Sequence, residues 1–158
     1  MRRKDREVTD RETIEEIIKA CKTCHLAMVD DGKPYVVPLN FGYELDADNL
    51  TLYFHSAKEG KKLDILHKNS SVCFDIASEG MPIHAESPCN CGYYFSSIIG
   101  MGTVEFIEDT KEKCKALSLL MKHQADRDVE FNEAQVNSVC VYKVSTSDYS
   151  GKKKQMPH

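Results

Sequence analysis

The run from Leu52 to Leu63, Leu-Tyr-Phe-His-Ser-Ala-Lys-Glu-Gly-Lys-Lys-Leu, concentrates more potential chemistry than any other stretch of this 158-residue chain. If a helix begins after Ser56, its first-turn N–H groups have no intrahelical acceptor and the positive end of its dipole lies there. Lys58, Lys61 and Lys62, spaced i, i+3 and i+4, then share one face beside that end. Cations, the Ser56 hydroxyl, and the free amides from Ala57 onward together make a seat for a phosphate monoester. Pattern alone also permits an exposed lysine-rich helix start with Ser56 as its cap. Cations oppose the dipole at this end, which favours an anionic ligand. His55 could give a proton to a reacting group or hydrogen-bond a cofactor, and its place at a strand end favours the second role.

A second run, Val36-Val-Pro-Leu-Asn-Phe-Gly42, carries a proline inside an otherwise strong strand. Pro38 removes one ladder donor, so the strand belongs at an edge, at a bulge, or with its backbone turned toward something other than a neighbouring strand. A planar ring with donor and acceptor edges would suit, Phe41 offering apolar surface and Asn40 an amide that both gives and accepts.

Three cysteine patterns lead elsewhere. Cys21-Lys-Thr-Cys24-His25 spells a haem-attachment string, but attachment follows export and the opening dozen residues are charged, with no apolar export segment. His84-Ala-Glu86 before Pro88-Cys89-Asn-Cys91 is like a zinc deaminase signature, yet its spacing is C-x-C and leaves no room for the intervening elements. Cys21, Cys24, Cys89 and Cys91 could gather around zinc, making a metal-stapled interaction protein. Free thiols are the expectation, with no metal assigned. Seven cysteines, an odd number, suit a reduced cytoplasmic protein better than a disulfide scaffold. With 21 basic and 25 acidic residues, a net charge of −4 and 41% hydrophobic content, the chain reads as globular, without the basic excess of a nucleic-acid binder. No apolar stretch reaches the roughly 18 residues of a membrane span.

The elements that must position these residues follow from periodicity. Ile14, Ile17, Ile18 and Cys21 predict a helix over about Asp10 to Ala20, opened by Thr9 and Glu12 at capping-box spacing. His25–Val29 and Tyr35–Tyr43 predict a hairpin around Asp31-Gly32, and Leu50–His55 a third strand running into the helix that Ser56 and Glu59 would cap. Val72–Ala77, Tyr93–Ile99 and Gly102–Ile107 add strands around a Gly-, Pro- and Cys-containing loop over 78–92. Cys114, Leu117, Leu120 and Met121 make an apolar helical stripe after Thr110, and Ser138–Val144 a closing strand. The expectation is one mainly β (α+β) domain over 1–158, six or seven antiparallel strands with about three peripheral helices, ending in a flexible basic tail over 151–158.

Three segments in this order carry a resemblance: Pro38-Leu-Asn-Phe-Gly-Tyr43, then Leu52 to Asp64, then Ser96-Ser-Ile-Ile-Gly-Met-Gly-Thr-Val-Glu-Phe106. They resemble the pyridoxamine 5′-phosphate oxidase-like flavoproteins, in particular the nitroimidazole-resistance branch. The resemblance implies a split β-barrel homodimer with FMN at the subunit interface. In it Pro38, Leu39 and Asn40 line the flavin ring, His55, Ser56, Ala57, Lys58, Lys61 and Lys62 surround ribityl and phosphate, and Ser97 and Ile98 approach from nearby or from the partner. The chain departs from the true oxidases of the group in having Lys where they have Arg and in lacking tryptophan, so oxidation of a B6 vitamer is not expected. The expected activity is reduction of a small acceptor, such as a nitro-aromatic, with NAD(P)H. The alternative is a non-enzymatic flavin store or sensor.

Overall fold

The computed structural model describes residues 3–154. Ten strands alternate with four α-helices: β1 Glu7–Val8, α1 Arg11–Ala20, β2 Cys24–Asp30, β3 Lys33–Leu39, β4 Gly42–Asp46, β5 Asn49–Ser56, α2 Lys61–Lys68, β6 Ser71–Ala77, β7 Met81–Ile83, β8 Gly92–Phe106, α3 Thr110–Ala125, α4 Glu133–Val136, β9 Cys140–Thr146 and β10 Tyr149–Lys154. The strand order is β3-β2-β6-β8-β9-β5-β4, with β10 bridging β1 and β8, and β7 also on β8. All pairs are antiparallel.

Strand β8 makes this a split barrel. Its 15 residues pair with β6 and β10 over most of their length, and then Val104, Glu105 and Phe106 pair with Val144, Lys143 and Tyr142 of β9. One strand thus serves both sheets. The expected break at its glycines does not occur. A Cβ on Gly100 would stand 2.3 Å from the Phe74 ring and one on Gly102 2.6 Å from Val144 Cγ1, so these glycines admit neighbouring side chains. Conversely, the single run expected over Tyr35–Tyr43 divides into β3 and β4 at Asn40 and Phe41. Short β1 and β7, and β10, account for the remaining excess over six or seven strands, and the single-turn α4 for the fourth helix.

Helix α1 is capped by Asp10, whose carboxylate accepts from Thr13 N at 2.8 Å, one residue later than the expected Thr9. Its Ile14, Ile17 and Ile18 are buried in one core cluster with Leu26, Phe54, Phe74 and Ile98. Each such side chain contributes about 1.5–3 kcal/mol by leaving water. A second cluster, Tyr53, Val141, Ala116, Leu117 and Val136, seats α3 and α4 on the outer side of β5 and β9. Gly151 to Lys154, expected to begin a flexible tail, form part of β10, with Lys152 opposite both Ser97 and Glu7. Residues 155–158 lie outside the described residues. Among the described residues no helix is long and apolar enough to cross a membrane.

Candidate functional site

Strand β3 occupies the edge that Pro38 implied, pairing only with β2. Tyr35, Val37 and Leu39 turn inward against the core, while Val36 and Pro38 face out. The unpaired side of such a strand offers N–H and C=O groups to a ligand. From Tyr35 to Leu39 it advances four residue steps, roughly 13 Å.

At the Tyr35 end stands the start of α2, built differently from the expectation. Ser56 is the last residue of β5, and its hydroxyl donates to Ala57 O instead of capping a helix. The helix starts only at Lys61, after Gly60 with φ +143°, a conformation reserved for glycine. Ala57 and Lys58 therefore lie in the loop, and the three lysines do not share a helical face. Because Gly60 has no side chain to cap with, the first N–H groups of α2 keep no side-chain acceptor, and Lys61 and Lys62 stand beside them. Lys61 Nζ reaches Asp30 Oδ2 at 3.1 Å and lies 4.8 Å from the centre of the Tyr35 ring. Lys62 turns the other way, over Tyr142 at 5.9 Å. Burial holds the Lys62 ammonium below its ordinary pKa. Lys58 and Lys62 have no carboxylate partner among the described residues.

The register of β5 on β9 supplies the floor of this corner: Ser56 faces Cys140 and Phe54 faces Tyr142. Tyr142 is fully buried, and its hydroxyl makes no well-formed hydrogen bond among the described residues; Ser56, on the same face, is the polar side chain beside it, with its own hydroxyl turned to Ala57 O. Burial, the larger cause, with Glu108, pushes the Cys140 thiol up against the opposing effect of Lys113, Lys62 and Lys58. An uncapped helix start, two cations without carboxylates and an orphaned phenol are what a phosphate ester would use. Sequence reasoning missed Tyr35, Tyr142 and Cys140, since only strand register reveals them.

His55 lies on the opposite face of β5 from Ser56, because strand side chains alternate. It lines a cavity of about 340 Å³ with Leu117, Met121, Phe131 and Val139. Burial, and secondarily the Lys62 charge, lower its pKa, keeping the ring neutral at neutral pH.

The structure places the other residues expected at the ring as follows. Phe41 is fully buried, its ring 4.6 Å from that of His123, and serves the core. Asn40 spends its amide donors on Lys22 O and Gln124 Oε1, while Gln124 donates to Phe41 O, so Asn40 pins the β3–β4 corner to α3. Ile98 is fully buried, and it and Ser97 lie on β8, three strands from β3 in sheet order. Within one protomer they do not join the corner. Cys21, Cys24, Cys89 and Cys91, which could have gathered around zinc, form no metal-holding group among the described residues.

The outward face of the β3-β2-β6-β8 sheet carries no helix and exposes Val36 (58%), Ile99 (49%) and Met101 (60%). Register places His25 beside Asp75 and Asp75 beside Ile99 on that face, and His25 Nδ1 lies 3.7 Å from Asp75 Oδ2.

A split barrel of this topology, with a cationic corner against an edge strand, is the architecture of the split-barrel flavoproteins. The chain belongs to the pyridoxamine 5′-phosphate oxidase family, whose description matches residues 10–153, a family of flavin-binding proteins. A candidate 5-nitroimidazole antibiotic resistance protein from Bacteroides thetaiotaomicron is similar at 36% identity over 92% of this chain and 85% of its own, with a TM-score of 0.80. Two more distant structures share the fold: the flavocytochrome Anf3 from Azotobacter vinelandii (22% identity, 99% of this chain, 73% of its own, TM-score 0.79) and an FAD and heme binding protein from Mycobacterium smegmatis (19%, 97%, 76%, 0.78). No curated protein matches the chain.

Proposed function

We propose that two copies of this chain hold FMN and act as an oxidoreductase that draws on NAD(P)H to reduce small acceptors of the nitro-aromatic kind. The observation that carries the reading is the uncapped start of α2, with Lys61 and Lys62 beside it and the orphaned Tyr142 hydroxyl beneath. The similarity to the Bacteroides resistance protein supports the choice of acceptor. FMN fits the residues present: its phosphate at the α2 start and Ser56, its ring along the free edge of β3 near Pro38 and Leu39. When bound, the flavin supplies the redox chemistry, taking a hydride from a nicotinamide and returning its electrons to the acceptor.

The protein's part is to bind and orient. Lys61, kept in place by Asp30, and Lys62 neutralise the phosphate. His55, neutral and in its own cavity on the far side of β5, does not touch the phosphate and is coupled to the corner through the Lys62 charge. The exposed apolar sheet face supports a homodimer, which would bring Ser97 of one copy to the other copy's edge strand. The reading places the dimer in the cytoplasm.

Steady-state NADH and NADPH oxidation by FMN-loaded protein, with and without a nitro-aromatic acceptor, tests the activity. Acceptor-dependent turnover is expected. A yellow protein that never turns over would make the chain a flavin store or sensor instead. Met101→Asp tests the dimer: sedimentation as a monomer with FMN at least tenfold weaker is expected, and an unchanged dimer would put the interface elsewhere.

A further inference from the structure

Strands β7 and β8 close a small loop: Ile83 stands opposite Gly92 on their ladder, and residues 84–91 lie between them. Within the loop Pro88–Asn90 form a single turn of 3₁₀ helix, Asn90 N donating to Ser87 O at 2.9 Å and Cys91 N to Pro88 O at 3.2 Å. The turn holds Cys89 and Cys91 with one residue between them. Cα atoms two positions apart on such a turn are separated by roughly 5–6 Å, within the span that a disulfide bridges.

The cysteines divide by exposure. Cys21 and Cys24 are buried, and burial, the main cause, pushes both thiols above their ordinary pKa, as it does for the half-buried Cys140. Cys114 is half-buried and donates to Phe131 O at 3.3 Å. Cys73 is half-buried opposite Met101 on the bare sheet face. Cys89 and Cys91 alone are exposed. Accessible thiols react and enclosed ones stay inert. The two also differ in their ties. Cys91 Sγ reaches back across the loop, 3.7 Å from Ala85 O and 3.9 Å from Ser87 O, whereas Cys89 Sγ makes no hydrogen bond among the described residues. No third histidine, cysteine or carboxylate completes a metal-holding group with them there, so the donor set of a closed zinc site is missing. Two neighbouring exposed thiols are suited instead to exchange with disulfides.

We propose that Cys89 and Cys91 form a dithiol–disulfide couple that reacts with small disulfides of the glutathione type. The Cys89 thiolate attacks one sulfur of the incoming disulfide, forming a mixed disulfide and expelling the other half as a thiolate, which takes up the proton that Cys89 gave. The Cys91 thiolate then attacks the Cys89 sulfur and closes the ring. The second half leaves as a thiolate and takes the proton from Cys91. In sum, two cysteine thiols are oxidised to one disulfide and the small disulfide is reduced to two thiols. A ring closed over one intervening residue gains little from chain entropy, so thiols reopen it readily. The Ile83–Gly92 pairing confines the change to the loop. The couple goes beyond the flavin reading and needs no bound flavin.

The test equilibrates the native full-length chain with glutathione disulfide, traps free thiols by alkylation and maps the peptides by mass. The peptide holding Cys89 and Cys91 is expected to lose two hydrogens without retaining glutathione, at least tenfold faster than any other cysteine reacts, and to recover both thiols in excess reduced glutathione. Cys91→Ser is expected to keep a glutathione adduct on Cys89. Cys89→Ser is expected to take up glutathione on Cys91 at least severalfold more slowly, and equal rates would overturn the order of attack. Lasting glutathione adducts on the wild-type pair, disulfides between chains, or first reaction at Cys73 would overturn the couple itself. FMN titration of the same untreated chain separates the two readings, since failure to bind FMN counts against the flavin reading alone.

Discussion

Two regions of this molecule gather lysines, and they differ in what answers the charge. A groove of about 820 Å³ opens between α1, β4 and α3. Within it Lys19 pairs with Glu15 at 2.9 Å, Lys115 with Glu44 at 2.7 Å and Lys122 with Asp126 at 3.0 Å, while Lys22 donates to His123 O. Even the Tyr53 hydroxyl is spent, donating to Glu44 at 2.6 Å. The corner between β5 and α2 has fewer cations, of which only Lys61 is answered, by Asp30 at 3.1 Å. Lys58 and Lys62 are unmatched, the helix start is uncapped, and Tyr142 is left without a partner. The difference teaches that neither cavity volume nor lysine number marks an anion site. Unanswered donors do, because a group left unsatisfied in a protein interior costs about 1–3 kcal/mol until something meets it.

The sharpest way to break this comparison is to remove the charge from each region in turn. Lys61→Ala/Lys62→Ala is expected to weaken FMN by about 10²-fold or more in a fluorescence titration, from two charge-assisted contacts of about 1.5–3 kcal/mol each. Lys19→Ala/Lys115→Ala, in the groove, is expected to leave FMN affinity within twofold and to cost at most about 1 kcal/mol per exposed pair in urea unfolding. Equal effects from both pairs would erase the distinction.

Gly60→Ala acts on the shape of the corner rather than its charge. Nothing lies within 4 Å of a Cβ there, so the cost is that of holding φ at +143°, about 1–3 kcal/mol. Chemical denaturation should show that loss, with FMN affinity falling as the start of α2 shifts. Unchanged stability would mean that α2 does not begin as described.

The smallest expected effect concerns protons. His55 sits below its ordinary value of 6.5, because burial disfavours its charged form and Lys62 repels it. The unfolded chain therefore binds the proton more readily, and stability falls as pH drops below 6.5 toward the folded value. A phosphate beside Lys62 would raise the His55 midpoint, so FMN should bind more tightly as pH falls through that interval. Imidazole NMR titration with and without FMN measures this, and an unmoved midpoint would place the phosphate away from Lys62.

Legibility in the sequence followed the range of the interactions. The edge position of β3 was readable from Pro38, since a missing donor is a local fact, and so was α1 from its isoleucine spacing. The corner was readable only as composition. Ser56 and Glu59 have the spacing of a cap, yet Gly60 starts the helix, because β5 continues through Ser56 on its ladder with Cys140. Asn40 and Phe41 read as ligand contacts because their partners are remote: Gln124 is 84 positions from Asn40, and the ring against Phe41 is that of His123. His55 and Ser56 read as one site, though alternation sends them to opposite faces. Tyr142 could be found only once the strand register was known.

A crystal structure of the dimer with FMN tests the central claim most directly. The account predicts phosphate oxygens within hydrogen-bonding distance of the backbone amides of Lys61 and Lys62 and of at least one of their ammonium groups, with the ring system extending along β3 toward Leu39. A phosphate seated in the groove between α1 and α3, or a corner filled only by Lys62 and Tyr142 at saturating FMN, would contradict it.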